Sequence, residues 1–385
     1  MDMTSRIEHI TATQVIVHAR SGYVDRDGFG PSIFDKIPKW LLEIRTDDGL
    51  IGYGETPRGA SLSDVQDAAR QVMGRSLREF PWSRPVQTEW DKALAWGHKN
   101  PPVPHRYHER ELGTPPGALG VSVAVQDLIA KSTDRRLVDL FGGPHREAVR
   151  TDWWVGRTDP DHVTQQMQIG LDLGYNSLKV KAAAEDDVVG IVRAYKQVAG
   201  EKARLVIDPN TRFYRAHEAI RIARSIEQYE NVVFEDPFAF DIQEWKLFRR
   251  KTTVPLVMHS TTQPWVALSN RCCDYVNLAY PAARFLGNAH MAGEFGVLCW
   301  AGSGVELGVL DAYLLHYSAA ARVCVLPGDA FGHDVRENDL INETLQPCDG
   351  HIPLPEGPGL GVSIDQDALD HYAQNRWELG PDGGS

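Results

Sequence analysis

The chain has 385 residues, of which 42% are hydrophobic and 24% charged, a globular balance that excludes a disordered or collagen-like chain. Forty Lys and Arg against 52 Asp and Glu leave a net charge of −12, which argues against nucleic-acid or anionic-membrane binding. Five cysteines with no CxxC, a polar stretch over residues 1–10 and no apolar run long enough to span a bilayer predict a reduced, cytoplasmic protein with no signal peptide.

The first 60 residues read as strands. Gln14–His18 is β-rich, and Trp40–Thr46 and Ile51–Thr56 flank the turn Asp47-Asp48-Gly49, a hairpin signal. Between them, Arg20–Ile37 is a long Gly-, Asp- and aromatic-rich loop. Asp64–Val72 and Trp90–Trp96 carry helical patterns, Asn100–Pro116 reads as a Pro-rich loop with His105 and His108, and Val121–Ser132 is an apolar helix. Leu137–Phe141 then stops at Gly142-Gly143-Pro144.

From residue 148 onward short β-rich runs alternate with helical stretches. The predicted strands are Val149–Val155, Ser177–Val180, Ala203–Ile207, Val232–Phe234, Pro255–Met258, Tyr275–Ala279, Val297–Trp300 and a weak eighth at Val323–Leu326. Such alternation predicts a (β/α)8-type barrel. A doubly wound sheet would be expected to carry a phosphate loop, and neither GxGxxG nor GxxxxGK[ST] occurs. Leu354–Gly361 reads as a closing loop, Gln366–Tyr372 as a final helix that packs back on the first domain, and the last residues, Gly380–Ser385, as disordered.

Barrel chemistry is carried at the C-terminal ends of strands. Strand two ends in Lys179-Val180-Lys181, strand three in Asp208-Pro209-Asn210, strand four in Glu235-Asp236-Pro237 and strand five in His259-Ser260. Lys181, Asp208, Glu235 and His259 are 27, 27 and 24 residues apart, about one β/α unit each. That spacing sets an ammonium, two carboxylates and an imidazole around one rim. Singly, the lysines are solvated strand ends and the carboxylates helix N-caps. Together, Asp208, Glu235 and His259 make a divalent-cation site that favours Mg²⁺ through its carboxylates, with Mn²⁺ as the alternative that an imidazole ligand suits. A cation on a carboxylate offsets the charge that develops when the neighbouring proton leaves, and a neutral Lys can take that proton.

Lys179-Val180-Lys181, Ile207-Asp208-Pro209-Asn210 and Phe234-Glu235-Asp236-Pro237, in order at barrel spacing, resemble the enolase superfamily of the mandelate racemase and muconate lactonizing type. The resemblance extends to Gly52-Tyr53-Gly54-Glu55 and to the closing Pro355–Gly361 segment. It implies an α/β chain: an α+β capping domain over residues 1–140, a (β/α)8-type barrel over 141–360, and a C-terminal segment over 361–385 that completes the cap. It also implies an essential Mg²⁺, abstraction of the α-proton of a small carboxylic acid by Lys181 beside Lys179, and a homo-oligomer. Pro255–His259 and Glu294–Trp300 most resemble the glucarate dehydratase group, whose third metal ligand is a non-acidic Asn; by position that ligand is here His259.

The departures narrow the chemistry. Mandelate racemase and glucarate dehydratase place a His at strand seven oriented by an Asp at strand six; here those positions read Ser303 and Tyr280, and Ala279 stands where the muconate branch has a Lys. A one-base reaction therefore fits best: an acid-sugar dehydratase, a carbon–oxygen hydro-lyase, with Tyr280 protonating the departing hydroxide. An epimerase of the same superfamily is the nearest alternative, and a barrel glycoside hydrolase using Glu235 and Glu306 is a more distant one. A binder that has lost its chemistry is disfavoured by Lys181 and its three ligands. Asn210 reads as an orienter or a turn residue, and Glu306 as a site residue or a helix cap. Of Trp153 and Trp154, alternation sends one outward, so Trp154 is a pocket candidate. Ser303 is placed near substrate, as are Tyr23 and Phe29 in the long loop that closes over substrate in this family. His105, His108 and His333 read as loop residues.

Overall fold

The structure, a computed structural model, describes residues 4–20, 38–80, 116–260 and 264–381. Tyr23, Phe29, His105, His108, the helical pattern at Trp90–Trp96 and most of both predicted loops lie outside these residues.

An antiparallel sheet opens the chain. Strands β1 (Ile7–Val15), β2 (Lys39–Thr46) and β3 (Ile51–Glu55) form a meander, and β13 (Ala373–Leu379) at the far end of the chain pairs antiparallel with β1 to give the order β13-β1-β2-β3. The hairpin turn falls where Asp47-Asp48-Gly49 predicts it, with Gly49 at φ +85°. Helix α1 (Leu62–Val72) starts at a capping box between Ser61 and Asp64. Helix α2 (Pro116–Ser132) is apolar on all sides and nearly all buried, because it packs against this sheet and α1. A short helix, α3 (Leu137–Leu140), leads out of this layer.

The second layer system is a curled parallel sheet of seven strands in sequential order: β5 (Trp153–Val155), β6 (Leu178–Lys181), β7 (Leu205–Asp208), β8 (Val232–Glu235), β9 (Leu256–Ser260), β10 (Tyr275–Leu278) and β11 (Leu298–Ala301). Helices α4 (Pro160–Asp172), α5 (Val188–Ala199), α6 (Ala216–Arg224), α7 (Ile242–Lys251), α8 (Trp265–Ser269), α9 (Ala282–Glu294) and α10 (Gly308–Ala320) follow β5 to β11 in turn. This is the (β/α)8-type barrel with an N-terminal α+β cap. The predicted first strand is divided: β4 (Ala148–Arg150) pairs with β12 (His351–Pro353) in a separate ribbon, and only Trp153–Val155 joins the barrel.

The weak eighth strand is not a strand. Residues 323–329 close the barrel through isolated bridges, Cys299 with Cys324 and Thr151 with Gly328. Pro327 has no amide hydrogen to donate, and a regular ladder cannot run through it. Two further elements differ from the sequence reading. His333 is buried in a short helix, α11 (Gly332–Val335), and β13 follows directly on α12 (Gln366–Tyr372) where only a helix is predicted.

Alternation places one side chain in two inside the barrel. Val206, Val233, Val257 and Trp300 form a small interior cluster. Asp208, Glu235 and His259 stand two residues beyond those valines on the same face of β7, β8 and β9. All five cysteines are free, and no helix among the described residues is long and apolar enough to cross a membrane.

Candidate active site

Lys179, Lys181, Asp208, Glu235 and His259 meet at the C-terminal ends of neighbouring strands. Lys181 is in register with Asp208, and its Nζ lies 2.5 Å from Asp208 Oδ2 and 2.7 Å from Asn210 Oδ1. Asn210 takes a left-handed backbone, φ +45°, and its amide donates to Asp208 Oδ1 at 3.0 Å. Asn210 is thus a turn residue and a partner of Lys181 at once. Asp208 and Glu235 do not cap helices: α6 and α7 begin after Arg215 and Asp241.

Lys179 is fully buried. Its Nζ lies 2.9 Å from Glu235 Oε1, 3.0 Å from Asp329 Oδ2 and 3.3 Å from Asp208 Oδ2. Burial opposes the charged amine, yet the carboxylates of Asp329, Glu235 and Asp208 override it and hold Lys179 well above the ordinary lysine value. Burial alone would raise the Asp208 carboxyl; Lys181 and Lys179 reverse this and keep it far below the usual carboxylate range. Glu235, with fewer cations around it, is raised by its burial.

His259 Nδ1 lies 3.8 Å from Glu235 Oε1, and its backbone amide donates to Asp236 Oδ1 at 3.1 Å. Among the described residues no three His, Cys, Asp or Glu side chains form a ready-made metal cage. The donor set nevertheless fits a divalent cation. Glu235 Oε2 is buried without a hydrogen-bond partner, a costly state for a carboxylate oxygen that a cation would relieve. Asp208 and His259 flank it, giving two hard oxygen donors and an imidazole.

The ends of β10 and β11 carry a different arrangement. Tyr280 hydroxyl donates to Glu306 Oε1 at 3.0 Å, and the Gly304 amide donates to the same oxygen at 2.7 Å. Glu306 Oε2 accepts from Lys39 of β2, which also donates to Glu55 of β3. Glu306, expected as a site residue or a helix cap, is completely buried, and it is Glu55 that accepts from the Leu307 and Leu310 amides at the start of α10. Burial works against the Glu306 carboxylate, and Lys39 outweighs it and keeps Glu306 ionised. The loop is tightly built. Val305 sits at φ +62°, a strained conformation for a β-branched residue, and Ser303 Oγ accepts from its amide. A Cβ on Gly304 would lie 2.8 Å from Glu306 Oε1.

Trp153 and Trp154 are both buried. Trp153 faces α4 and packs on Tyr175, while Trp154 stacks on Phe331 at 5.8 Å, two residues beyond Asp329. Lys39, Glu55, Asn277 and Asp329 escape the site reading of the sequence. Glu55 stands within a motif quoted for the resemblance, and Lys39 is a charge opening an otherwise apolar strand. Asp329 follows a stretch with no strand of its own, which hides its place in the rim.

A family model described as Enolase C-terminal domain-like matches residues 162–368. The chain belongs to the enolase superfamily. The N-succinyl-L-Arg/Lys racemase of Bacillus cereus is 24% identical over 355 residues, 87% of this chain and 90% of the racemase. Its crystal structure superposes with a TM-score of 0.78 at 20% identity, covering 97% of this chain and all of the other. Arabinonate dehydratase of Saccharolobus solfataricus is 22% identical over 348 residues, 86% of this chain and 89% of the dehydratase. A Thermobispora bispora enolase solved with magnesium and formate matches with a TM-score of 0.76 at 20% identity, over 96% of this chain and 92% of that one. Superfamily relatives thus include racemases and dehydratases alike, and the glucarate dehydratase group is not singled out among them.

Proposed function

We propose that this enolase-superfamily member is a divalent-metal-dependent lyase that removes the α-proton of a sugar acid and expels the β-hydroxyl as water. The observation that carries the reading is the meeting of Lys181 with Asp208, Glu235 and His259, opposite a wall that offers Tyr280 in place of a Lys or His. A relative that dehydrates arabinonate supports the substrate class.

A divalent cation held by Asp208, Glu235 and His259 would supply positive charge against the carboxylate on which negative charge develops. Lys181, as the neutral amine, takes the α-proton, and the C–H electron pair moves towards the substrate carboxylate. Asn210 and Asp208 fix the position of its Nζ. Lys179, kept charged by its three carboxylates, contributes a fixed positive charge beside the base and does not itself accept the proton. The β-carbon–oxygen bond then breaks, the leaving oxygen takes the Tyr280 hydroxyl proton, and water departs. The enol left behind becomes the 2-keto acid by proton transfer. Glu306 holds the Tyr280 hydroxyl at 3.0 Å in the resting site, and the hydroxyl must turn from Oε1 to the leaving oxygen to give up its proton.

An inversion at the α-carbon is the second reading, favoured by the racemase relative; Tyr280 would then return a proton to the opposite face. A mono- and diacid-sugar library incubated with Mg²⁺ or Mn²⁺ distinguishes the two. The dehydratase gives a 2-keto acid, read as its semicarbazone, and EDTA abolishes it. An epimerase gives no keto product and incorporates solvent deuterium at the α-carbon with the hydroxyl retained. Keto-acid formation that persists in EDTA would contradict both readings.

A further inference from the structure

Asn277 takes no part in the proposed chemistry, yet it is fully buried beside the site. It lies on β10 in register with His259 of β9 on one side and Trp300 of β11 on the other. Its Nδ2 donates to Glu235 Oε1 at 2.9 Å, the oxygen that also receives Lys179 Nζ at 2.9 Å. A carboxylate oxygen only accepts, so the Asn277 amide must present its nitrogen there. Both buried donors therefore converge on Oε1, and Oε2 is left buried with no partner. The opposite end of the amide, Oδ1, is buried without a hydrogen-bond partner as well, so the Asn277 amide forms no second bond that would explain its burial.

Gly302 makes this arrangement possible. A Cβ there would lie 2.4 Å from Asn277 Oδ1 and 3.0 Å from its Cγ, a clash that would move the amide. The Gly302 amide is itself tied to the Leu278 carbonyl at 2.6 Å, so the backbone has little room to retreat.

We infer that Asn277, in the space Gly302 leaves for it, is a positioning residue: it occupies Glu235 Oε1 and so turns Oε2 towards a divalent cation. The inference rests on the metal centre of the proposed function and adds the device that orients one of its ligands. Groups that hold metal ligands from behind commonly set affinity by about 10–100-fold.

The test is titration of the EDTA-treated full-length protein with Mn²⁺, following free Mn²⁺ by its EPR signal, with Mg²⁺ as competitor. Alongside it, the cooperative thermal unfolding of the metal-free protein is recorded. The wild type is expected to bind one Mn²⁺. Asn277→Ala and the volume-matched Asn277→Leu are expected to bind it about 10–100-fold more weakly while the metal-free proteins still unfold cooperatively. Gly302→Ala is expected to weaken binding in the wild-type background and to add little on top of Asn277→Ala, because both act through the same amide. Unchanged Mn²⁺ affinity in both Asn277 variants would overturn the inference, and so would a Gly302→Ala effect that simply adds. Absence of Mn²⁺ binding by the wild type would overturn the metal centre itself, and the inference with it.

Discussion

Across the barrel mouth, the wall built by β6 to β9 and the wall built by the ends of β10 and β11 are assembled by different means. The first needs only the barrel: each strand end contributes polar groups, and register brings Lys181, Asp208, Glu235 and His259 together. The second draws on the cap. Tyr280 is held by Glu306, Glu306 by Lys39 of β2, and Lys39 by Glu55 of β3. One wall therefore carries charge that a cation and a proton can use, while in the other Lys39 is already shared between two carboxylates before substrate arrives. The Lys181 wall is therefore a property of the barrel alone, and the Tyr280 wall a property of how the two layers meet.

Variants on either wall test this difference. Lys181→Ala is expected to have the largest effect, a loss of about 10⁴-fold in turnover with metal affinity retained, measured by steady-state kinetics and Mn²⁺ titration. Lys39→Met comes next. It leaves Glu55 and Glu306 facing each other in a buried site, and chemical denaturation is expected to show a loss of about 3–5 kcal/mol. Restoring the charge balance with Lys39→Met/Glu55→Gln should recover part of it. A stability equal to the wild type in Lys39→Met would remove the cap from the account of the second wall.

Tyr280→Phe keeps the ring and removes the proton, and is expected to lower turnover by about 10²-fold. Full turnover in that variant would take Tyr280 out of the acid role.

A pH-dependent effect is expected at His333, just beyond the second wall. Its Nδ1 lies 3.0 Å from Asp311 Oδ2 and its Nε2 3.4 Å from Asp334 Oδ2. Burial opposes the charged ring, and those carboxylates reverse this and raise it from 6.5 to about 10. Between those two values the folded chain holds a proton the unfolded chain has lost, so the stabilisation is complete below about pH 6.5 and fades as pH approaches 10. Denaturation midpoints of wild type and His333→Asn should converge as pH rises through that window. Midpoints that stay parallel would contradict the charged-ring assignment.

Much of the first wall is legible in the sequence, because a (β/α) spacing of 24 to 27 residues maps directly onto neighbouring strand ends. Seven of the eight predicted barrel strands are present within a few residues. The eighth fails because bridges and a proline-interrupted segment fill that gap, and with it the placement of Asp329 is lost. The second wall is not legible for a related reason. Lys39 and Glu306 are 267 residues apart and belong to different layers, and no local pattern links them. Asn277 looks like any polar residue in an apolar strand until its level beside His259 is known. Glu306 carries the reverse lesson: its chain position allows a site residue or a helix cap, and only packing reveals that Lys39, Tyr280 and the Gly304 amide already occupy it.

Whether Lys181 takes an α-proton in a metal-dependent step is read by ¹H NMR of a responding sugar acid in D₂O with Mg²⁺. The α-proton signal is expected to be lost as the 2-keto acid forms with the wild type. Neither exchange nor product is expected with Lys181→Ala or after EDTA treatment. Exchange and product at the wild-type rate in Lys181→Ala would contradict that role.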